Sequence, residues 1–386
     1  MTEPAWVRHA IWWHCYPLGF TGAYPDHGDE PHRLRRVTAW LDHAVRLGTS
    51  GIALGPLFAS ATHGYDTTDY FRVDPRLGDD ADFDDLVAAA HDRGLRVLLD
   101  GVFNHVAPSW GRPELFRRDA AGHVRSFEGH DGLIELDHAA PEVRDLAVDV
   151  MTHWLGRGAD AWRLDAAYQV PLPFWADVLP RVRAHHPEAW FFGEVLHGDY
   201  AAFVREGTLD AVTQYELWKA IWSSLNDRNP HELAWTLGRH DTLLDTFVPQ
   251  TFVGNHDVTR IASRLSDPRA LPLALVVLLT VAGTPSIYAG DEFGLRGVKE
   301  DRAGGDDAVR TAFPPSPDEP VPGADPAVLR LHQDLIGFRR RHAWLHAART
   351  KVLEIDQEHL VYESRSGDDA ITVTLDYEAV TWRIDG

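Results

Sequence analysis

The chain has 386 residues, of which 44% are hydrophobic and 10% aromatic, so it can form one large barrel with a small appendage or two to three ordinary domains. Its 58 acidic residues outnumber 37 basic ones, which gives a formal net charge of −21, and no run of lysine or arginine offers a phosphate-binding stripe. This composition argues against nucleic acid and against an anionic membrane as partners.

Cysteine content and the N-terminal segment narrow the class of protein further. Cys15 is the single cysteine, which excludes an internal disulfide and a metal site built from cysteines. The N-terminal segment lacks the basic region, apolar core and cleavage site of a secretory signal, so we expect a cytoplasmic protein. The longest apolar run, residues 270–283, is shorter than the roughly 20 residues of a membrane span and predicts a buried helix.

Eight short apolar segments recur along the chain with helix-like stretches between them. They lie at residues 10–18, 51–56, 96–103, 161–166, 190–195, 211–217, 246–255 and 285–290. Between the second and the third, residues 82–94 begin with acidic residues, continue with apolar residues at helical spacing and end at Gly94, a pattern typical of an amphipathic helix. Eight alternating strands and helices predict the α/β class and a (β/α)8 TIM barrel.

Two regions depart from this alternation. Residues 106–140, after the third strand, have irregular periodicity and predict a short excursion from the barrel rim. The Gly-, Pro- and Asp-rich residues 297–326 predict a long loop, followed by a helix from about residue 327 to residue 346. The remaining residues alternate as in strands. We therefore predict a catalytic barrel over residues 1–346, with the excursion 106–140 inserted, and a small C-terminal β domain over residues 347–386.

Polar residues gather where four of the predicted strands end. Arg163 and Asp165 lie two positions apart, so both point to one face of the fourth strand, which is the lumen in a barrel. Active sites of such barrels are built at the carboxyl ends of the strands. Strands three, five and seven end in the same way, with Asp100, Asn104, His105, Glu194, Asn255, His256 and Asp257.

A single carboxylate or histidine at a strand end often serves as a helix cap or a structural partner. Several carboxylates that converge on one barrel mouth indicate a functional site, because each buried, unpaired carboxylate costs free energy. Two carboxyl groups on facing strands, one ionised and one protonated, are the chemical groups that a glycosidase needs.

The surroundings of the carboxylates suggest their roles. We expect Arg163 to favour the ionised form of Asp165 and so lower its pKa, which suits a nucleophile. Glu194 follows the apolar run WFFG, which favours the protonated form that a general acid requires. Asp257 is a third carboxylate. A retaining mechanism predicts a separation of about 5–5.5 Å between the carboxyl groups of Asp165 and Glu194.

Four segments resemble, in order, the signatures of the α-amylase family of retaining glycoside hydrolases (family 13 type). They are DGVFNH (100–105), GADAWRLDA (158–166), FFGEV (191–195) and FVGNHD (252–257). The resemblance extends over nearly the whole chain. It implies that Asp165 is the nucleophile, Glu194 the acid/base and Asp257 the transition-state stabiliser. It also implies substrate-binding roles for Tyr65, Asp66, His105, Arg163, His256 and Arg310.

This chain departs from the family pattern in two places. After the nucleophile it has AAYQVP, whereas typical α-amylases carry a Lys-His pair where Tyr168 and Gln169 stand, so the subsites for the leaving group differ. Asn104 matches a calcium-ligand position, but the excursion that supplies the other ligands is short, and Glu135 stands there in place of the usual Asp. The resemblance therefore implies no required cofactor and leaves calcium open.

The sequence favours retaining hydrolysis of α-1,4-glucosidic bonds in short α-glucans or malto-oligosaccharides, by an α-glucosidase or an oligosaccharide-acting α-amylase. A hypothetical pair between Asp66 and Arg310 would close the pocket behind one sugar and release glucose from chain ends. A transglycosylase, a trehalose-forming isomerase and an α-1,6-glucosidase remain alternatives. A non-catalytic family member is disfavoured because Asp165, Glu194 and Asp257 are all present. The expected partner is a small-molecule or oligosaccharide α-glucoside.

Overall fold

The computed structural model describes residues 3–25, 30–302 and 304–386; the other positions of the predicted barrel lie outside the described residues. Eight parallel strands form the central sheet, and each overlaps one predicted segment. They are β1 Trp12–Cys15, β2 Gly51–Leu54, β3 Arg96–Gly101, β4 Ala161–Leu164, β5 Trp190–Gly193, β6 Ala211–Val212, β7 Gln250–Phe252 and β8 Thr284–Tyr288.

The strands follow one another around the sheet in chain order, with β8 beside β1. A parallel bridge between Thr213 and Gln250 joins the ends of the sheet after β6 and at β7, so the barrel is nearly closed. The barrel strands are buried on both faces, as the continuous apolar segments of a helix-covered parallel sheet require. The predicted (β/α)8 barrel is therefore confirmed.

Helices surround the barrel and connect its strands. They are α1 Pro17–Phe20, α2 Leu34–Ala39, α3 Leu41–Leu47, α4 Asp80–Asp92, α5 Pro141–Gly156, α6 Leu172–Arg183, α7 Tyr200–Arg205, α8 Tyr215–Asp227, α9 Pro230–Leu243, α10 Ile261–Arg264, α11 Leu271–Thr280 and α12 Pro326–Arg341. Asp79 and Asp82 form a capping box at the start of α4. The apolar run at 270–283 forms the buried α11. The described helices include none of the length and apolarity that crossing a membrane would take.

Two predicted elements end earlier than the sequence suggested. The segment 211–217 is extended only as far as Val212, because the side chain of Gln214 accepts a hydrogen bond from the backbone of Leu217 and caps α8. The helix expected to reach residue 346 ends at Arg341, and a 3-10 helix, Ala343–Ala347, follows it.

The C-terminal residues form a four-stranded antiparallel sheet, as the alternating pattern predicted. Its strands, in order, are β9 Arg349–Ile355, β10 His359–Ser366, β11 Asp369–Asp376 and β12 Thr381–Asp385. The hydroxyls of Tyr362 and Thr280 lie 2.6 Å apart, which joins the sheet to α11. The apolar core of the sheet is continuous with that of the barrel. The domain boundary at residue 347 stays a prediction.

A short antiparallel strand pair fixes the base of the excursion after β3. His105–Val106 pairs antiparallel with Ile134–Glu135, and the segment between them folds back over the mouth of the barrel. Near its tip, the ring of Phe127 stacks on the ring of His105, with centroids 4.6 Å apart and planes 14° apart. A second rim hairpin, Phe58–Ser60 with Thr67–Val73, brings Tyr65 to the same mouth.

Candidate active site

The guanidinium of Arg163 lies at the centre of the barrel mouth. Its Nη1 is 2.7 Å from both oxygens of Asp100 and 3.1 Å from Oδ1 of Asp165. Its Nη2 is 2.8 Å from Oε1 of Glu194 and 3.9 Å from Oδ2 of Asp257. The strand ends therefore meet as predicted, and one cation holds four carboxylates together. We call Asp100, Arg163, Asp165, Glu194 and Asp257 the strand-end cluster.

The predicted direction of the Asp165 pKa shift is wrong. Burial raises the pKa of Asp165 well above its ordinary value; Arg163 opposes the rise, but the charges of Glu194 and Asp100 add to it. One guanidinium cannot neutralise several carboxylates at once. Burial also raises the pKa of Asp100, against the effect of Arg163. The strand-end cluster therefore tends to retain a proton.

Glu194 is fixed by neighbours on both sides. The hydroxyl of Tyr215 donates to Oε1 at 3.1 Å, and the backbone N–H of Ala166, directly after Asp165, donates to Oε2 at 3.2 Å. Ala166 makes this contact from a left-handed conformation, with φ 44° and ψ 37°, which is costly for a residue with a Cβ. Strain at this position thus directs a backbone donor at the second carboxyl group.

Asp257 has surroundings opposite to those of Asp165. Burial acts to raise its pKa, but His256, with Nε2 2.9 Å from Oδ2, and the guanidinium of Arg310, 2.9 Å from Oδ1, hold the pKa well below its usual range. Asp257 is therefore ionised at neutral pH and available as a hydrogen-bond acceptor.

Tyr65 and His256 form an aromatic layer beside the cluster. The hydroxyl of Tyr65 donates to Oδ2 of Asp100 at 3.0 Å and contacts Nε2 of His256. The ring of His256 lies parallel to those of Tyr65 and Tyr16, with centroids 5.5 and 5.6 Å away. Arg310 lies over Tyr16, 4.6 Å from the ring centroid.

The ring of His105 lies beside the carboxylate of Asp165. Asn104 Nδ2 lies 3.1 Å from its Nδ1. Its buried Nε2 lies 4.0 Å from Oδ2 of Asp165, and the described residues offer it no partner within hydrogen-bond distance. Burial lowers the pKa of His105 to about 3, so the ring is neutral at physiological pH. With Nδ1 as the acceptor, Nε2 carries the proton and can act as a hydrogen-bond donor.

The hypothetical pair between Asp66 and Arg310 does not form. Asp66 accepts hydrogen bonds from the backbone and the hydroxyl of Thr62, at 3.0 and 2.6 Å. Arg310 pairs instead with Asp257 and, at 3.2 Å, with Asp306. The structure therefore removes the argument for release of single glucose units that rested on this pair.

The residues around Asn104 do not fit a calcium site. Its side-chain amide is directed at His105, and hard cations prefer several carboxylate or carbonyl oxygens. Within the described ranges, a cluster of three ligand atoms from His, Cys, Asp or Glu occurs only at His32, Asp79 and Asp82, where the two aspartates already cap α4. We assign no metal to the site.

Two residues of the site, Tyr16 and Tyr215, had no role predicted from the sequence. Tyr16 directly follows β1 and stacks on His256, and Tyr215 follows β6 and binds Glu194. Both obey the strand-end rule that identified the carboxylates, so that rule, applied to tyrosines as well, finds them.

A cleft of about 620 Å³ opens above the strand-end cluster. One of its walls is more exposed than the cluster and is formed largely by the excursion and by the turns after β4 and β5. We call this set the outer wall: Phe127, Glu128, Leu133, Tyr168 and Leu196. The lining of the cleft also includes His63, Asp257 and Arg310.

Comparison with known proteins defines the class. The family model described as alpha amylase, catalytic domain, matches residues 16–120 and 125–360. The chain belongs to the α-amylase family, which confirms the resemblance read from the four strand-end segments.

Relatives within the family include several enzymes of oligosaccharide metabolism. A cyclomaltodextrinase of Geobacillus thermopakistaniensis is 29% identical over 96% of this chain and 69% of its own length. An intracellular maltogenic amylase of Bacillus subtilis is 28% identical, and the match covers 76% of this chain and 57% of that protein.

Solved structures show the same architecture. A debranching enzyme of Nostoc punctiforme has a TM-score of 0.81 and 26% identity, covering 98% of this chain and 91% of that one. A cyclic α-maltosyl-(1→6)-maltose hydrolase of Arthrobacter globiformis has a TM-score of 0.84 and 24% identity, covering 97% and 92%, and supports the fold alone.

Proposed function

We propose that this protein hydrolyses α-1,4-glucosidic bonds in short α-glucans or malto-oligosaccharides with retention of configuration. The observation that supports this most strongly is the shared guanidinium of Arg163, which binds Asp165 through one nitrogen and Glu194 through the other. Two carboxyl groups held beside one another above a barrel are what a double displacement needs. Relatives named cyclomaltodextrinase and maltogenic amylase support the same class of substrate.

In the first step, a carboxylate oxygen of Asp165 attacks the anomeric carbon while Glu194 gives its proton to the glycosidic oxygen. The bond to the leaving sugar breaks, and a covalent glycosyl ester of Asp165 forms. In the second step, Glu194 removes a proton from water, whose oxygen attacks the same carbon and releases Asp165. Two inversions restore the α configuration.

The remaining residues stabilise the sugar during both steps. Asp257, ionised by its neighbours, accepts hydroxyl hydrogen bonds that strengthen as charge develops on the ring. His105 and His256 bind the sugar. Tyr65 and Arg163 hold the carboxylates in place. This assignment gives Arg310 the role of fixing Asp257.

The substrate range and the cellular site are part of the proposal. We propose a neutral oligosaccharide as partner, no required cofactor, and action in the cytoplasm, where imported malto-oligosaccharides are short. The relative from Bacillus subtilis, named intracellular, agrees with this placement.

A substrate panel with nuclear magnetic resonance detection of the first-formed anomer tests the proposal. The panel contains maltotriose, a cyclomaltodextrin, soluble starch, pullulan and trehalose, and it is run with wild type, Asp165→Asn and Glu194→Gln. We expect α-anomeric products from maltotriose and a loss of at least about 10³-fold in kcat for both variants. β-anomeric products, or variants as active as wild type, would refute the mechanism.

The same panel separates the alternatives. Products longer than the substrate indicate transglycosylation, trehalose turnover indicates an isomerase or a trehalose hydrolase, and cleavage of the α-1,6 links of pullulan indicates an α-1,6-glucosidase.

A further inference from the structure

Glu128 lies at the tip of the excursion, in the outer wall of the cleft. Its backbone is left-handed, with φ 49° and ψ 27°, and its Oε1 accepts hydrogen bonds from the hydroxyl of Tyr168 at 2.9 Å and from Nε2 of Gln169 at 3.3 Å. Its Oε2 accepts no hydrogen bond from the described part of the chain, and no cation there pairs with it. An exposed carboxylate thus enters the cleft with one oxygen free.

The leaving group lies on this side of the cleft. In the proposed mechanism, Glu194 protonates the glycosidic oxygen, so the departing sugar is next to Glu194. Tyr168 is three residues beyond Asp165, and burial, Glu128, Glu194 and Asp165 all raise the pKa of its hydroxyl. Tyr168 therefore lies within electrostatic range of both Glu128 and the reacting carboxyl groups.

We propose that Glu128 determines specificity for the leaving group: its carboxylate orients Tyr168, accepts hydrogen bonds from hydroxyls of a neutral departing sugar, and repels a phosphorylated one. This inference rests on the proposed function. Tyr168 and Gln169, which Glu128 binds, stand where typical α-amylases carry a Lys-His pair. The charge of the outer wall is therefore negative where that pair would make it positive.

The basic residues that line the cleft are each paired with a carboxylate, so the charge of the outer wall is that of Glu128; these residues are Lys299, Arg302 and Arg310. A phosphate on the departing sugar meets the free oxygen of Glu128 and, further in, the negative charges of the strand-end cluster. A neutral sugar has hydroxyl donors that the same oxygen accepts. Because Glu128 is exposed, the repulsion weakens as salt increases.

The first experiment compares maltotriose with α-maltosyl fluoride, whose leaving fluoride needs no sugar subsite. For Glu128→Gln we expect kcat/KM on maltotriose to fall about ten-fold, because hydrogen bonds to a charged acceptor are lost, with a clearly smaller loss on the fluoride. The matched control is Glu114→Gln, an exposed glutamate of the same excursion that pairs with Arg112 outside the cleft. Equal losses on both substrates, or no loss on either, would overturn the inference.

The second experiment measures charge selectivity with maltotriose that carries a 6-phosphate on its reducing-end glucose. Wild type is expected to have a higher kcat/KM on plain maltotriose than on the phosphorylated form. Glu128→Gln is expected to reduce this ratio, and Glu128→Lys is expected to reverse it at low salt. A purely structural role of Glu128 would leave this ratio unchanged, and that result would overturn the inference.

Two further measurements separate the charge of Glu128 from its hydrogen bond to Tyr168, and the role of Glu128 from the proposed function. Tyr168→Phe removes the hydroxyl that Glu128 holds but keeps the charge, so it is expected to weaken maltotriose cleavage without altering charge selectivity; altered selectivity would count against Glu128. If wild type does not hydrolyse α-maltosyl fluoride at all, the proposed function fails, which is a different outcome from failure of the Glu128 assignment.

Discussion

The two sides of the cleft are built in different ways. The strand-end cluster lies at the ends of barrel strands, its central arginine is 7% exposed, and its members bind one another. The outer wall comes mostly from turns and from the excursion, and its members are half-buried or exposed. A rigid scaffold thus holds the groups that we propose break the bond, whereas loops form the side that we propose for the departing sugar. In this proposal the first side defines the reaction and the second defines the substrate.

The largest expected effect comes from removing the cation at the centre of the strand-end cluster. Arg163→Met leaves Asp100, Asp165 and Glu194 buried without a counter-charge, which should lower the free energy of unfolding by about 3–5 kcal/mol and abolish activity. Urea unfolding measures the free energy of unfolding, and maltotriose hydrolysis measures the activity.

Arg117→Met is the matched control in the excursion. Arg117 pairs with Glu135 at 3.1 Å, but its side chain is 44% exposed, so its removal should cost less than about 1 kcal/mol. Similar losses for the two variants would contradict the contrast between the cluster and the excursion.

A smaller effect is expected from Asp100→Asn. Asp100 binds Arg163 with both oxygens and accepts from Tyr65, so the amide loses one charged acceptor and presents an N–H₂ group to the guanidinium. We expect kcat/KM to fall about 10²-fold and stability by about 2 kcal/mol. A loss of stability with unchanged kcat/KM would restrict Asp100 to a role in folding.

Much of the site was predictable because strand ends in a parallel barrel converge whatever the loops do. Asp165, Glu194 and Asp257 were found by this rule, and Tyr16 and Tyr215 obey it too. The end of β6 was not predictable from hydropathy, because the Gln214 side chain caps α8 there. The Asp66–Arg310 pair failed because it depends on the conformations of two loops, which have no periodic pattern.

The pKa of Asp165 was mispredicted for a different reason. A sequence shows the neighbour two residues away, Arg163, but not how many other groups share it. Only the three-dimensional arrangement reveals that Asp100 and Glu194 compete for the same guanidinium while burial acts on all of them.

This competition predicts a change in the pH profile. In the proposed mechanism only ionised Asp165 attacks, so activity should rise with pH through a pKa above its ordinary value of 3.8. Glu194→Gln removes a charge that raises the pKa of Asp165, so the acidic limb should move to lower pH. The rate is measured with α-maltosyl fluoride, which needs no acid, and azide, which replaces water as nucleophile. An unmoved limb, or one that moves to higher pH, would show that Glu194 does not influence the titration.

The smallest expected effect concerns the contact between the outer wall and His105, which lies beside the strand-end cluster. Phe127 of the outer wall stacks on His105, which faces Asp165. Phe127→Ala should lower stability by about 1 kcal/mol and kcat/KM on maltotriose about three-fold, because His105 loses its packing partner but keeps its bond to Asn104. Thermal unfolding and steady-state kinetics measure the two effects.

Phe71→Ala provides the comparison, because Phe71 also packs on a histidine, His153, with centroids 5.5 Å apart, but does not line the cleft. It should cost a similar amount of stability and leave kcat/KM unchanged. If both variants lose activity equally, the kinetic effect of Phe127 comes from general destabilisation. If only Phe127→Ala does, the excursion contributes to catalysis by holding His105 in place, and the loops that surround the departing sugar are then mechanically coupled to the groups that release it.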